Sequence, residues 1–112
     1  MTRYAAHKVL ILPEAKLLNR AVVEIDHEHG VSDVFVLTEE IHHTVWMDGL
    51  IVVSACRPSL QDKDEPLPLF VERMKRETEA AQSSAAVSYA YYIHPFHLQS
   101  LTIPLKGSAT QL

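Results

Sequence analysis

Arg20-Ala21-Val22-Val23-Glu24-Ile25-Asp26-His27-Glu28-His29-Gly30-Val31-Ser32-Asp33-Val34-Phe35-Val36-Leu37 is the stretch that decides the fold class. Residues 20–25 and 32–37 are two runs dense in β-branched and apolar side chains. Asp26-His27-Glu28-His29-Gly30 lies between them, and its acidic residue and glycine supply the backbone freedom that a reversal needs. The pattern predicts a β-hairpin whose side chains alternate between core and solvent. Toward the N-terminus, residues 3–12 have the same character and stop at Pro13-Glu14-Ala15, so a further strand precedes the hairpin. Toward the C-terminus, His43-Thr44-Val45-Trp46-Met47 reads as a strand, Asp48-Gly49 as a turn or bulge, and Leu50-Ile51-Val52-Val53 as a buried strand. The first half of the chain is all β.

Composition changes at Ala55. Residues 55–66 are polar and punctuated by Pro58 and Pro66, as a surface linker is. Leu67, Phe70, Val71, Met74, Thr78 and Ala81 then recur at steps of three and four, opposite Glu72, Arg73, Lys75, Arg76, Glu77 and Glu79. That spacing predicts an amphipathic helix over 67–84 that covers a sheet face. Asp64 and Glu65 are placed to complement the dipole at its start, and Ser83-Ser84 to end it. Residues 86–104 supply closing strands, with Tyr89, Tyr91 and Tyr92 in the first and a bend at His94-Pro95-Phe96; 105–112 reads as a loose tail. The whole is an α+β, mainly β single domain over 1–112: a small β-sandwich or strongly bent sheet with one amphipathic helix.

At 112 residues the chain is long enough for one core and too short for a catalytic barrel. Ten Lys+Arg against fourteen Asp+Glu leave a formal charge of −4, so no sequence-wide basic field exists for nucleic acid or an anionic membrane. Val9-Leu10-Ile11-Leu12 is too short for a membrane span or a signal core. The single Cys56 has no partner for an internal disulfide, and a cytoplasmic location is the expectation. Only three glycines occur, without a phosphate-binding loop or a G-x-S-x-G elbow.

Seven histidines are the unusual feature. His27 and His29 have the two-residue spacing that lets imidazoles share one face, but they fall in the hairpin turn, where side chains are usually solvated. His42 and His43 are adjacent and point apart in a strand. His94 and His97 have helical ligand spacing, which Pro95 disfavours. The residues therefore assign no catalytic, cofactor-binding or metal site; His27, His29, His94 and His97 are the positions to watch should the pairs converge. Ligand binding beside Trp46 and the tyrosines has no motif behind it.

Ala6-His7-Lys8-Val9-Leu10-Ile11-Leu12-Pro13, then 17–26, then Gly30-Val31-Ser32-Asp33-Val34, and later Asp48-Gly49-Leu50-Ile51-Val52-Val53 together resemble the N-terminal part of the amidohydrolase (metal-dependent hydrolase) superfamily. In that family a small β-rich composite domain opens with a strand, a hairpin of the form V-x-I-D-x-x-G-x-I-x-x-V and a strand ending in G-x-I-V-x-P-G. The resemblance covers roughly the first 54 residues. Beyond it the chain departs: Ala55-Cys56-Arg57-Pro58-Ser59 stands where the family continues into its barrel and the metal-binding H-x-H, and the C-terminal G-x-x-A-D signature is missing. His27-Glu28-His29 lies in the hairpin, before the place where the family's ligands begin. The resemblance implies a composite domain alone, with a linker and helix in place of the barrel and residues 87–103 closing the sheet. It implies no cofactor and no hydrolase activity, but a structural or interaction module that associates with itself or another protein. The alternative from another class is a small histidine-based metal-binding protein or metal-dependent enzyme.

Overall fold

β1 (Thr2–Ile11) and β2 (Lys16–Ile25) form an antiparallel hairpin paired from Thr2↔Ile25 to Ile11↔Lys16. Their reversal passes through Ala15, which takes a left-handed φ of 58°. β2 thus begins at Lys16, earlier than the apolar run at 20–25 indicates, because Leu17 and Leu18 find partners in Leu10 and Val9. The computed structural model describes residues 2–12, 14–36, 44–55, 58, 64–81, 88–94, 96, 102–103 and 108–112. Cys56, His42, His43 and His97 lie outside these residues, as does the end of the helix beyond Ala81.

The predicted hairpin is present: β3 (Val31–Val36) runs antiparallel to β2, with Gly30 at the end of the turn. β4 (Thr44–Ser54) lies on the other side of β1 and parallel to it. After β5 (Glu65–Pro66) and α1 (Leu67–Ala81), β6 (Tyr89–His94) pairs antiparallel with β4. β7 (Thr102–Ile103) pairs with β5, and β8 (Ser108–Gln111) with the outer edge of β6. The result is a mixed six-stranded sheet in the order β3-β2-β1-β4-β6-β8 beside a two-stranded ribbon, β5-β7.

Three expectations are corrected. Residues 108–111 are not loose: a short polar segment gains a ladder because β6 offers it a free edge. Of the expected closing strands, β7 joins the ribbon with β5 and not the main sheet. Glu65 does not serve the helix dipole; it belongs to β5, is 6% exposed and pairs with Arg73.

The main sheet is strongly bent, and the sequence shows why. Side-chain alternation slips once in each of β1 and β2. Ala6 and Val9 share one face, as do Leu18 and Ala21, and Arg20 between the latter pair has a φ of 52°. At the same level β4 carries a bulge, shifting its register against β1 between Ala6 and Lys8, with Gly49 at φ 107°. The bend brings the β3 edge of the sheet up to the start of β6. β3 and β6 stand four strand spacings apart, about 19 Å in a flat sheet, yet Gly30 bridges Tyr89 and Val31 N donates to Ser88 O at 2.8 Å. Small side chains line the concave face and allow this curvature: Ala6, Val9, Ala21, Val23, Val53 and Ala90 pack there with Ile25 and Ile51. Helix α1 covers the opposite face, setting Leu67, Phe70 and Met74 on Leu10, Leu50, Val52 and Ile93.

Gly49 is the residue that the bulge requires. A Cβ there would lie 3.3 Å from Phe96 Cβ, on a backbone conformation that L side chains rarely adopt. Gly49→Ala is expected to cost about 1–3 kcal/mol, read as a lower urea midpoint; an unchanged midpoint means that the bulge is not held in this conformation.

Candidate functional site

The 26–30 turn is rigid for local reasons. Asp26 Oδ1 accepts from Glu28 N at 2.9 Å and from Gly30 N at 3.0 Å, closing an Asx-type turn. Asp26 N donates to Gly30 O at 2.9 Å, and His29 N donates to Asp26 O at 3.1 Å. His29 sits at φ 66°, a left-handed conformation that histidine adopts more readily than a β-branched residue does. The bridge from Gly30 to Tyr89 then ties the turn to the far side of the sheet.

The same closure makes a cleft of about 200 Å³ between the turn and the first residues of β1. Asp26, His27 and His29 line it from the turn, Thr2 and Tyr4 from β1, Ile25 from β2, and Leu112 from beyond β8. Leu112 is held there by its N–H, which donates to Ala90 O at 2.9 Å. Of the four histidines to watch, His27 and His29 therefore share one cleft. His94 does not join them. It lies at the opposite end of β6 from Tyr89, five residues and roughly 16 Å of strand away. There its ring stacks on Tyr92 with centroids 5.6 Å apart, and its Nδ1 is 3.4 Å from the Tyr92 hydroxyl. His97 lies outside the described residues. Among the described residues no group of three or more His, Cys, Asp or Glu side chains is placed to hold a metal ion.

Sequence reasoning passed over two features of this part of the molecule. Thr2, Tyr4 and Leu112 as walls of the cleft carry no motif: the β1-β2 register sets Thr2 opposite Ile25 beside the turn, and Leu112 arrives through its bond to Ala90. His7, opposite the bulge, packs edge-on against Trp46 at 4.8 Å, and Gly49 N donates to its Nδ1 at 3.5 Å. Its place in an apolar strand, at the slip in alternation between Ala6 and Val9, is the available signal.

The aromatic group splits as alternating strand residues do. Tyr91 is buried, while Tyr89, Tyr92 and Phe96 are half-buried, so the four do not form one exposed surface. Exposed large apolar side chains lie elsewhere: Val36 at the end of β3, and Val45 and Trp46 at the start of β4, are each between 43% and 50% exposed. No helix among the described residues is long and apolar enough to cross a membrane. No protein-family model, no curated protein and no solved structure matches the chain.

Proposed function

We propose that the chain is a non-catalytic interaction module of the cytoplasm, similar to the composite domain of metal-dependent hydrolases without their barrel, and that it acts by associating with a second copy of itself. The observation that carries this reading is the exposure of Val36, Val45 and Trp46, three of the five large apolar side chains that the described residues leave open to solvent. Val36 is on the edge strand β3 and Val45 and Trp46 are on β4, on either side of the β1-β2 hairpin, in the half of the chain that carries the family-like motifs. Removing such side chains from water on association is favourable, by about 25 cal/mol for each Å² of apolar surface. The non-catalytic part rests on the sequence, in which Ala55-Cys56-Arg57-Pro58-Ser59 stands where the resembled family continues into the barrel and the H-x-H that do its chemistry.

Sedimentation velocity over a wide concentration range tests the reading. A concentration-dependent shift to dimer or larger is expected, and Val45→Lys or Trp46→Ser is expected to weaken it by about tenfold or more. A wild-type protein that stays monomeric at the highest concentration removes the proposal.

A further inference from the structure

We propose that the cleft beside the 26–30 turn is a binding site for one divalent transition-metal ion of borderline softness, copper(II) or zinc(II), held by the imidazoles of His27 and His29 with water completing the coordination. Neutral imidazole is a ligand for such ions and a poor one for magnesium or calcium, which take oxygen donors. Two imidazoles alone on a mobile loop would hold an ion weakly, since each must be ordered on binding. Here that cost is largely met in the fold. Asp26 Oδ1 takes two backbone N–H groups of the turn, and Gly30 is bridged to Tyr89, so the loop bearing both rings is fixed at each end. With the loop fixed, capture by one ring presents the ion to the second at high effective concentration.

The cleft has room for the ion and its waters, at about 200 Å³. Thr2 and Tyr4, which also line it, are hydroxyl-bearing residues of the kind that orient metal-bound water. Asp26 adds a negative charge beside the site while its Oδ1 remains committed to the turn. The site lies ahead of β3, and so is separate in the chain from the H-x-H of the resembled hydrolases. None of the exposed apolar residues Val36, Val45 and Trp46 lines the cleft, although Val45 stands opposite Tyr4 of its wall, so metal uptake and self-association are read by separate measurements.

Calorimetric titration of the untagged protein with copper(II), together with electron paramagnetic resonance of the one-equivalent complex, tests the proposal. The expected result is one ion per chain and a nitrogen hyperfine pattern from two imidazoles. His27→Asn and His29→Asn are each expected to weaken binding by about tenfold or more. Asparagine is chosen because it tolerates the left-handed backbone at position 29. Both side chains are exposed, so unchanged circular dichroism and melting temperature verify the fold of each variant. A triple variant, His42→Asn, His43→Asn and His97→Asn, is expected to keep the ion. The proposal is overturned if the wild type takes up no copper, if the double His27/His29 variant still binds one ion at wild-type affinity, or if the triple variant abolishes binding. It is equally overturned if each single variant lowers the stoichiometry without lowering the affinity, the behaviour of independent surface imidazoles.

Discussion

Arg73→Ala is expected to destabilise the protein by about 3–5 kcal/mol, the most that any single exchange at a charged residue should cost here. Arg73 Nε donates to Glu65 Oε2 at 2.9 Å and Nη2 donates to Glu65 Oε1 at 2.7 Å, a two-point grip on a carboxylate that is nearly buried. Nη1 reaches Glu77 Oε2 one helical turn on at 3.2 Å, and the guanidinium lies 5.5 Å from the Phe70 ring centroid. The hydrogen bonds it donates to Glu65 hold the Arg73 guanidinium even more firmly protonated than usual, against the opposing pull of burial. Removing the arginine leaves a nearly buried carboxylate on β5 without the cation it pairs with. The loss should therefore far exceed the ~1 kcal/mol or less typical of an exposed pair. Arg73→Lys should fall between the two, because an ammonium keeps the charge but not the two-point geometry. The discriminating measurement is urea unfolding of Arg73→Ala beside Arg73→Met/Glu65→Leu. If stranded charge is the cause, the double variant recovers most of the stability that the single one loses; equal losses in both would show that packing of the arginine stem is what matters.

That pair also marks where sequence reasoning stops. The spacing of Leu67, Phe70, Val71 and Met74 reveals the helix and its buried face, because burial on a helix has a period that composition displays. Glu65 at a helix start looks like a dipole partner from sequence alone, since the rule needs only proximity along the chain. Its partner is eight residues away, and its cross-strand neighbour is Ile103 of β7. Neither is encoded in local spacing.

The hairpin and the all-β first half are legible for the same reason as the helix: β-branched runs interrupted by Asp26 and Gly30 have few other uses. The direction of the sheet's closure is not. A bridge between Gly30 and Tyr89 joins positions 59 apart in sequence, and it depends on slips in alternation at His7–Lys8 and Asn19–Arg20 that a hydrophobicity pattern does not distinguish from noise. β8 shows the converse. Ser108-Ala109-Thr110-Gln111 has almost no apolar signal, and becomes a strand because an already formed edge accepts it. The candidate cleft inherits this limit. His27 and His29 were visible as a spaced pair, but whether a turn histidine faces water or a wall depends on the strand that closes over it, and here the wall comes from both ends of the chain.

Phe70→Ala is expected to cost about 3–5 kcal/mol, comparable to Arg73→Ala but by a different route. Phe70 is fully buried at the centre of the cluster that joins Leu67 and Met74 of α1 to Leu10, Leu50, Val52 and Ile93 of the sheet. Truncation loses the transfer free energy of the ring and leaves a void that β strands joined by backbone ladders cannot collapse to fill. Beyond Phe70, what holds the helix in place is Leu67, Met74 and the Arg73–Glu65 pair. Its first turn carries no acidic residue and the last described turn no basic one, so dipole complementarity adds nothing. At 15 residues it is of marginal stability by itself in water. Loss of the aromatic anchor should thus release α1 as a unit while the six-stranded sheet, with its separate concave cluster of Val9, Val23, Ile51 and their neighbours, stays folded. Val71→Ala, at a half-buried site on the same helix, should cost far less and leave the helix docked. Hydrogen exchange separates the outcomes: Phe70→Ala should lose protection in 67–81 before 44–54, and simultaneous loss in both segments would show that helix and sheet unfold as one cooperative unit.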